Sequence, residues 1–416
     1  MTEPIKRRRS LTNVGGEIDR GGDERASELL AHAVDVAPTS EADAPDRAHV
    51  HGFHAYPARA HPVTARRLVD AFAPARGLVL DPFCGSGTIL IEAMLAGRDA
   101  IGTDLNPLAV MLARAKTYPR KPEATAALVA AAQEVAAFAD ARRTAKLGAT
   151  RRLPQEDVSI FAPHVLLEMD GLRGGIEKAP PEARPDLQLV FSSILVKLSA
   201  KRGDTSDEPL EKRVSAGYPA RLFVRKTEEL AARFAEFAGL LPTPAPRARV
   251  LLDDAGKLAK LEERSVDVVI TSPPYVATYD YLAHHELRMR WLDLDTRRLA
   301  KDELGARRHY ERMTPDEARD SWMRELTKFL RALARVTKKG APVVLLIADS
   351  ATPRGPRGER SMPLRADEMV ADAAELVDTF EPVARASQAR PHFHGHTVSA
   401  FVDKPRAEHA LLLRRL

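Results

Sequence analysis

Apolar residues along this chain fall into two rhythms, and the changes between them show where order begins and where it is interrupted. Residues 1–48 mix Gly, Asp, Glu, Arg and Ala without a sustained period, so they read as a disordered tail with a short helix near residues 26–36. From residue 62 the positions Val63, Leu68, Val69 and Phe72 repeat at helical spacing, with arginines between them. Pro74 and Gly77 end that helix. Residues 77–80 then read as a short buried strand, residues 89–95 as a helix stopped by Gly97, and residues 100–102 as a second strand. Strand, loop, helix and parallel strand in that order make the right-handed crossover of a doubly wound sheet.

The rhythm then breaks. One crossover helix needs only about 10–15 residues, yet the next strand pattern is Ala248-Arg-Val-Leu-Leu252. Alanine-rich helical stretches at residues 124–141 and 228–240 flank a middle rich in Pro, Gly, Arg and Asp, which predicts a largely helical insertion at residues 119–246. Strand patterns resume at residues 248–252, 266–270 and 342–347, and a terminal hairpin is expected over residues 394–402. The predicted fold is α/β: a doubly wound, Rossmann-like sheet built from residues 49–118 and 247–416.

Composition narrows the classes. Hydrophobic residues make up 44% of the 416, enough for a sizeable core. No apolar run approaches the ~18 residues of a membrane span. The basic start, MTEPIKRRRS, has no apolar stretch after it and so does not read as a secretory signal. The single cysteine, Cys84, excludes a disulfide framework within the chain and any cysteine-rich zinc site; the cytoplasm is the expected compartment. A net charge of +5 and a pI near 9.2 suit a polyanionic partner, and equally suit a mildly basic solvated surface.

Candidate chemistry begins in the loop between the first two strand patterns, Asp81-Pro-Phe83-Cys-Gly85-Ser-Gly87-Thr88. Its glycines let the backbone approach a ligand, and the following helix turns N–H groups and the positive end of its dipole toward it. Leu90 stands where a dinucleotide fingerprint has its third glycine, which argues against NAD. Asp104 lies 23 residues after Asp81, at the tip of the second strand. An acidic residue there either reaches ribose hydroxyls or caps the helix beginning at Asn106-Pro107.

The loop resembles motif I of the amino-methyltransferases that act on exocyclic amines of nucleobases, the cytosine-N4 and adenine-N6 DNA methyltransferases. The resemblance implies S-adenosyl-L-methionine as cofactor. It implies methionine-end contacts from Phe83, Gly85 and Gly87, with Asp81 and Thr88 completing the loop, ribose contact from Asp104 and adenine contact from Asp254, with Asp253 as a competitor. Upstream, His54-Ala-Tyr56-Pro-Ala58 and the helix after it resemble the segment that covers the methionine end in such enzymes.

Ser272-Pro273-Pro274-Tyr275 follows a strand pattern and resembles motif IV of the same family. The chemistry explains the residue types. An exocyclic amine is a poor nucleophile because its lone pair is delocalised into the ring. Two acceptors that grip its N–H groups favour a pyramidal nitrogen: the Ser272 side chain and the Pro273 carbonyl, held rigid by Pro274. Tyr275 is placed to stack on an extruded base. Methylation at carbon 5 of cytosine needs a thiolate, and the only cysteine lies in the donor loop, where it would face the cofactor. Serine at 272 leans toward cytosine-N4 over adenine-N6.

Further segments resemble bacterial DNA methylases: Tyr279-Asp-Tyr281-Leu-Ala-His-His285-Glu-Leu-Arg288, Gly305-Ala-Arg-Arg308 and Ala386-Ser-Gln-Ala-Arg390-Pro-His-Phe-His394. Their aromatic and basic residues suit base stacking and phosphate contact. His284 and His285 lack a third ligand at helical spacing, so no metal is expected. Trp291 and Trp322 read as core. In the insertion, Lys197, Lys201 and Arg202, the pair Lys212 and Arg213, and the basic residues of 221–226 either grip phosphates or coat a solvated helical cap. The expected partner is DNA ahead of RNA. RNA stays in play because the insertion is not where the family keeps its recognition region. A catalytically silent donor-binding subunit fits less well, because the tetrapeptide is intact.

Overall fold

The computed structural model describes residues 15–37, 44–204, 206–390 and 399–416. Its central sheet has eight strands: β1 (Ile18–Gly22), β2 (Leu78–Asp81), β3 (Asp99–Asp104), β4 (Ala248–Leu252), β5 (Val268–Thr271), β6 (Pro342–Ala348), β7 (Phe380–Ala389) and β8 (Ala407–Arg415). They lie in the order β1-β7-β8-β6-β5-β2-β3-β4. The run from β6 to β4 is parallel, β8 is antiparallel to both β7 and β6, and β1 is antiparallel to β7. This is a Rossmann-like α/β fold.

Parallel strands are covered on both faces, so their sequences are apolar at successive positions. Period-2 alternation sorts those positions between the two layers. Val79, Val268, Val344 and Leu346 join one cluster with the helices Glu24–Val34, Pro62–Phe72 and Thr88–Leu95. Leu80, Val269, Val343 and Leu345 join the other with the helices Pro315–Val336 and Ala366–Val377. Trp322 is buried in this second layer. From β2 the chain steps one way to β3 and β4 and then crosses to the other side of β2 for β5 and β6, so the carboxyl ends of β2 and β5 flank the switch point where open α/β sheets bind ligands.

Two expectations are corrected. The segment 1–48 is not tail throughout: Ile18–Gly22 adds an edge strand to β7, and Glu24–Val34 lays Leu30, Ala33 and Val34 on the sheet. The local sequence lacks a long period because a five-residue strand and an eleven-residue helix are too short to display one. The terminal antiparallel pair is β7 with β8 rather than residues 394–402. Residues 394–398 lie outside the described residues, and 399–402 belong to the connection before β8.

Between β3 and β4 the chain forms the helices Pro107–Thr117, Pro122–Thr144, Gln155–Ile160, Pro163–Lys178, Arg184–Leu198 and Tyr218–Leu240, with a small ribbon at Lys201–Gly203 and Ser206–Pro209. Their core is continuous with Ile91 and Met94 of the helix after the donor loop, Leu108 and Leu112 of the next helix, and Trp291. The Pro122–Thr144 helix is long and apolar enough, by length and composition, to cross a membrane. Here Leu128, Ala131, Ala132, Val135 and Ala139 are buried within that core.

Candidate active site

The donor loop leaves β2 at Asp81 and enters the Thr88–Leu95 helix at Thr88. Gly85 (φ 49°) and Gly87 (φ 89°) both take left-handed backbone, which explains glycine at these two positions. The loop is pinned to β3: the Cys84 amide donates to the Thr103 carbonyl (3.0 Å), and the Gly85 amide to Asp104 Oδ2 (2.9 Å). Asp104 Oδ1 accepts from the Asn106 amide (2.8 Å), and it is Asn106, not Asp104, that caps the Pro107–Thr117 helix. Burial pushes the Asp104 carboxyl up to about 6 and the Asp81 carboxyl up to about 7. Cys84 is turned into the sheet: a Cβ on Gly102 of β3 would lie 3.0 Å from its sulfur. The thiol therefore faces core rather than cofactor, and burial holds its pKa well above the usual thiol value.

An aromatic wall closes over the loop. A Cβ on Gly85 would lie 3.2 Å from the ring of Tyr56. Tyr56 stacks on His285 (centroids 4.9 Å) and Tyr281 (6.1 Å), and Asn106 Nδ2 reaches both the Tyr56 hydroxyl (3.4 Å) and His285 Nδ1 (3.2 Å). Burial lowers the His285 pKa to about 3, so the ring is neutral. Phe83 packs edge-on against Phe329 (5.1 Å). Beyond β4, Asp253 accepts from the Asp254 and Lys260 amides (3.0 Å each), so both its oxygens are engaged by the turn. Asp254 Oδ1 accepts from the Gly256 amide (2.8 Å), and Oδ2 has no hydrogen-bond donor, only ion pairs with Lys257 (3.1 Å) and Lys328 (3.7 Å).

One contact joins the two halves of the site. Thr271 Oγ1 donates to Asp81 Oδ1 at 2.6 Å, across 190 residues of sequence. Ser272 follows Thr271 directly, so this bond sets the tetrapeptide at the sheet edge from which the donor loop emerges. The Ser272 hydroxyl and the Pro273 carbonyl make no hydrogen bond among the described residues. The turn is braced by Ala277 donating to the Gly305 carbonyl and Arg307 to the Tyr279 carbonyl (2.9 Å each). Tyr275 is only 4% exposed, and its hydroxyl donates to Glu408 Oε1 (2.9 Å).

Residues 36–114 match the family model described as DNA methylase. The match spans about a fifth of the chain. Type II methyltransferase M.MvaI of Kocuria varians is 40% identical over 75 residues, 17% of this chain and 16% of that protein. Type II methyltransferase M.MjaII of Methanocaldococcus jannaschii is 34% identical over 68 residues, 16% of this chain and 13% of that protein. The chain thus matches about one sixth of the length of these relatives or less. TrmN from Thermus thermophilus aligns over 86% of this chain and 49% of its own at 14% identity with a TM-score of 0.33, too distant to bear on the chemistry.

S-adenosylmethionine is the cofactor that the likeness to DNA methylases implies, and the residues present fit it. Ser86 Oγ and Thr88 Oγ1 are buried in the loop without partners. The two left-handed glycines let the loop pack closely, Gly85 against the Tyr56 ring and Gly87 against Ala113 of the next helix (3.2 Å each from an added Cβ). Around this core the basic residues behave unlike the phosphate contacts expected of them. Arg288 pairs with Asp204 (2.9 Å) and donates to the Ser192 carbonyl, Arg308 pairs with Asp280 (2.9 Å) and Glu303 (2.6 Å), and Arg390 pairs with Glu408 (2.7 Å). Buried charges demand such partners; Glu303 lies five residues from Arg308, whereas Asp204 lies 84 from Arg288. In the insertion Lys212 donates to the Val196 and Lys201 carbonyls, Arg202 pairs with Glu208 and Lys226 with Glu229, while Lys197, Arg213, Arg221 and Arg225 stay exposed. Sequence reasoning missed Thr271, Asn106 and Glu408. Thr271 adjoins the tetrapeptide and Asn106 follows Asp104 by two, so position alone offered a signal for those two; nothing local marked Glu408.

Proposed function

We propose that this chain is an S-adenosylmethionine-dependent DNA methyltransferase that acts on an exocyclic amine of a base, cytosine-N4 ahead of adenine-N6. The observation that carries the reading is the pair of unbonded acceptors, Ser272 Oγ and the Pro273 carbonyl, held beside the donor loop by the Thr271–Asp81 bond.

Two acceptors at a rigid turn match an amine with two N–H groups. Ser272 and Pro273 draw both N–H bonds to one side, which pulls the nitrogen out of conjugation and frees its lone pair. Pro274 keeps the turn from relaxing. When bound, S-adenosylmethionine supplies an electrophilic methyl group. Phe83, Gly85 and Gly87 would hold its methionine end under the Tyr56 ring, Asp81 and Thr88 the base of the loop, Asp104 its ribose, and Asp254 its adenine through Oδ2, which faces only the ammonium groups of Lys257 and Lys328. The exposed cations of the 119–246 insertion, Lys197, Arg213, Arg221 and Arg225, are offered as phosphate contacts from a substrate-recognition region.

The test is transfer of labelled methyl groups to genomic DNA and, separately, to total RNA, followed by digestion to nucleosides and mass spectrometry. N4-methylcytosine in DNA is the expected product. N6-methyladenine would move the target base, label in RNA alone would replace the polymer, and no methylated nucleoside in either would overturn the reading.

A further inference from the structure

The side chain that fixes Tyr275 comes from the far end of the chain. Tyr275, Glu408, Arg390 and Gln388 form one buried chain of hydrogen bonds, each residue at least nine-tenths buried. The Tyr275 hydroxyl donates to Glu408 Oε1 (2.9 Å), Arg390 donates through Nε and Nη2 to Glu408 Oε2 (2.7 Å each), and Arg390 Nη1 donates to Gln388 Oε1 (2.6 Å). Glu408 stands near the start of β8, opposite Ala348 at the end of β6 on one side and Gln388 of β7 on the other. The network therefore ties the turn to β8 and to the end of β7.

Such a network has a definite mechanical effect. A buried carboxylate needs a cation, and Arg390 supplies it with a two-nitrogen grip on one oxygen. The other oxygen is left to accept from the phenol. Burial holds the Tyr275 hydroxyl well above its ordinary pKa, so it remains a donor. The ring is thereby fixed at both ends: by the backbone after Pro274 and by its hydroxyl. Tyr279, the neighbouring ring of the same segment (centroids 6.4 Å), has no such anchor among the described residues and is half-buried.

We propose that Glu408, held by Arg390, is a positioning residue that acts through Tyr275 and keeps its ring beside the Ser272 and Pro273 acceptors, so that a base is presented to them in one orientation. The inference rests on the nucleobase reading above.

The test compares Tyr275→Phe, Glu408→Ala, Glu408→Gln and the double variant Tyr275→Phe/Glu408→Ala in the full chain, on DNA that the parent methylates. Tyr275→Phe keeps the ring and the Glu408–Arg390 pair, so its folding is preserved, and a thermal unfolding midpoint checks each of the others. Loss of one charge-assisted hydrogen bond predicts that Tyr275→Phe lowers kcat about tenfold, with donor affinity unchanged. Glu408→Ala should lower kcat as much, the double variant no further, and Glu408→Gln, whose amide oxygen still accepts from the phenol, should recover part of the loss. A 2-aminopurine base at the target position should show weaker quenching in Tyr275→Phe than in the parent. A Tyr275→Phe variant with parental kcat, or losses that multiply in the double variant, would overturn the positioning role alone. A parent that methylates no nucleic acid overturns the function proposed above and this role with it.

Discussion

The proposed donor side and the proposed acceptor side of this site are built on different plans. The donor side runs from Asp81 to Asp104, and its contacts are backbone amides to near carboxylates: Gly85 to Asp104, Phe83 to Asp81, Asn106 to Asp104. The acceptor side draws Ser272 to Tyr275 into place through side chains from residues 81, 390 and 408, and its covering helix, Tyr281–Trp291, through Arg288 and Asp204. A loop made by backbone geometry tolerates change outside its glycines. A turn held by buried ion pairs depends on each partner, because a charge left alone in the interior is worse than no charge at all.

That difference is sharpest where a buried pair can be broken far from the chemistry. Asp204→Ala leaves the Arg288 guanidinium, 2% exposed, without its carboxylate. Stability should fall by about 3–5 kcal/mol, read from denaturant unfolding of the full chain; a loss under about 1 kcal/mol, the level of a surface pair, would break the comparison. Ser272→Ala is next. Removing one electrostatic partner of a reacting group typically lowers kcat about 10²–10³-fold, and here donor affinity should stay at the parental value. A parallel fall in donor affinity would mean that the two sides are not separable.

On the donor side the sensitive positions are glycines. Gly85→Val forces a β-branched residue to φ 49° with its Cβ 3.2 Å from the Tyr56 ring. Strain of about 1–3 kcal/mol should weaken donor binding at least about tenfold while nucleic-acid binding persists, measured by calorimetry and by anisotropy. The smallest effect concerns pH. Burial raises the Asp81 carboxyl to about 7 and the Asp104 carboxyl to about 6, above their unfolded values. Between roughly pH 4 and 7 the folded chain therefore holds more protons at these sites than the unfolded chain does, and their contribution to stability falls as pH rises. Asp81→Asn should flatten this part of the profile; a thermal midpoint that keeps the parental slope from pH 5 to 7.5 would remove Asp81 from the account.

Much of the sheet was legible because its signals are local. The strands β2, β5 and β6 announce themselves as short apolar runs buried on both faces, and the glycines of the donor loop announce their own backbone. The edge strand β1 was not legible: five residues, IDRGG, pair with β7 across some 366 residues of chain, and nothing in them requires a strand. The β7–β8 pair was displaced in the sequence reading because β7 mixes polar and apolar positions, with Glu381, Arg385 and Gln388 among its ten residues. Arg288, Arg308 and Arg390 were read as phosphate contacts, since a basic residue in a binding segment looks the same whether it meets a phosphate or a buried carboxylate.

What the sequence determined by itself is the kind of cofactor loop this chain carries. The geometry there is a property of adjacent residues: glycines that can take positive φ, a strand before, a helix after and an aspartate one crossover away. Only the tertiary structure decided how the acceptor turn is held. The Thr271–Asp81 bond, the Glu408 anchor on Tyr275 and the Asp204 partner of Arg288 join residues 84 to 190 positions apart. A buried hydrogen bond or ion pair is a relation between two places, and no local pattern in the chain encodes which distant carboxylate a given arginine or tyrosine will meet.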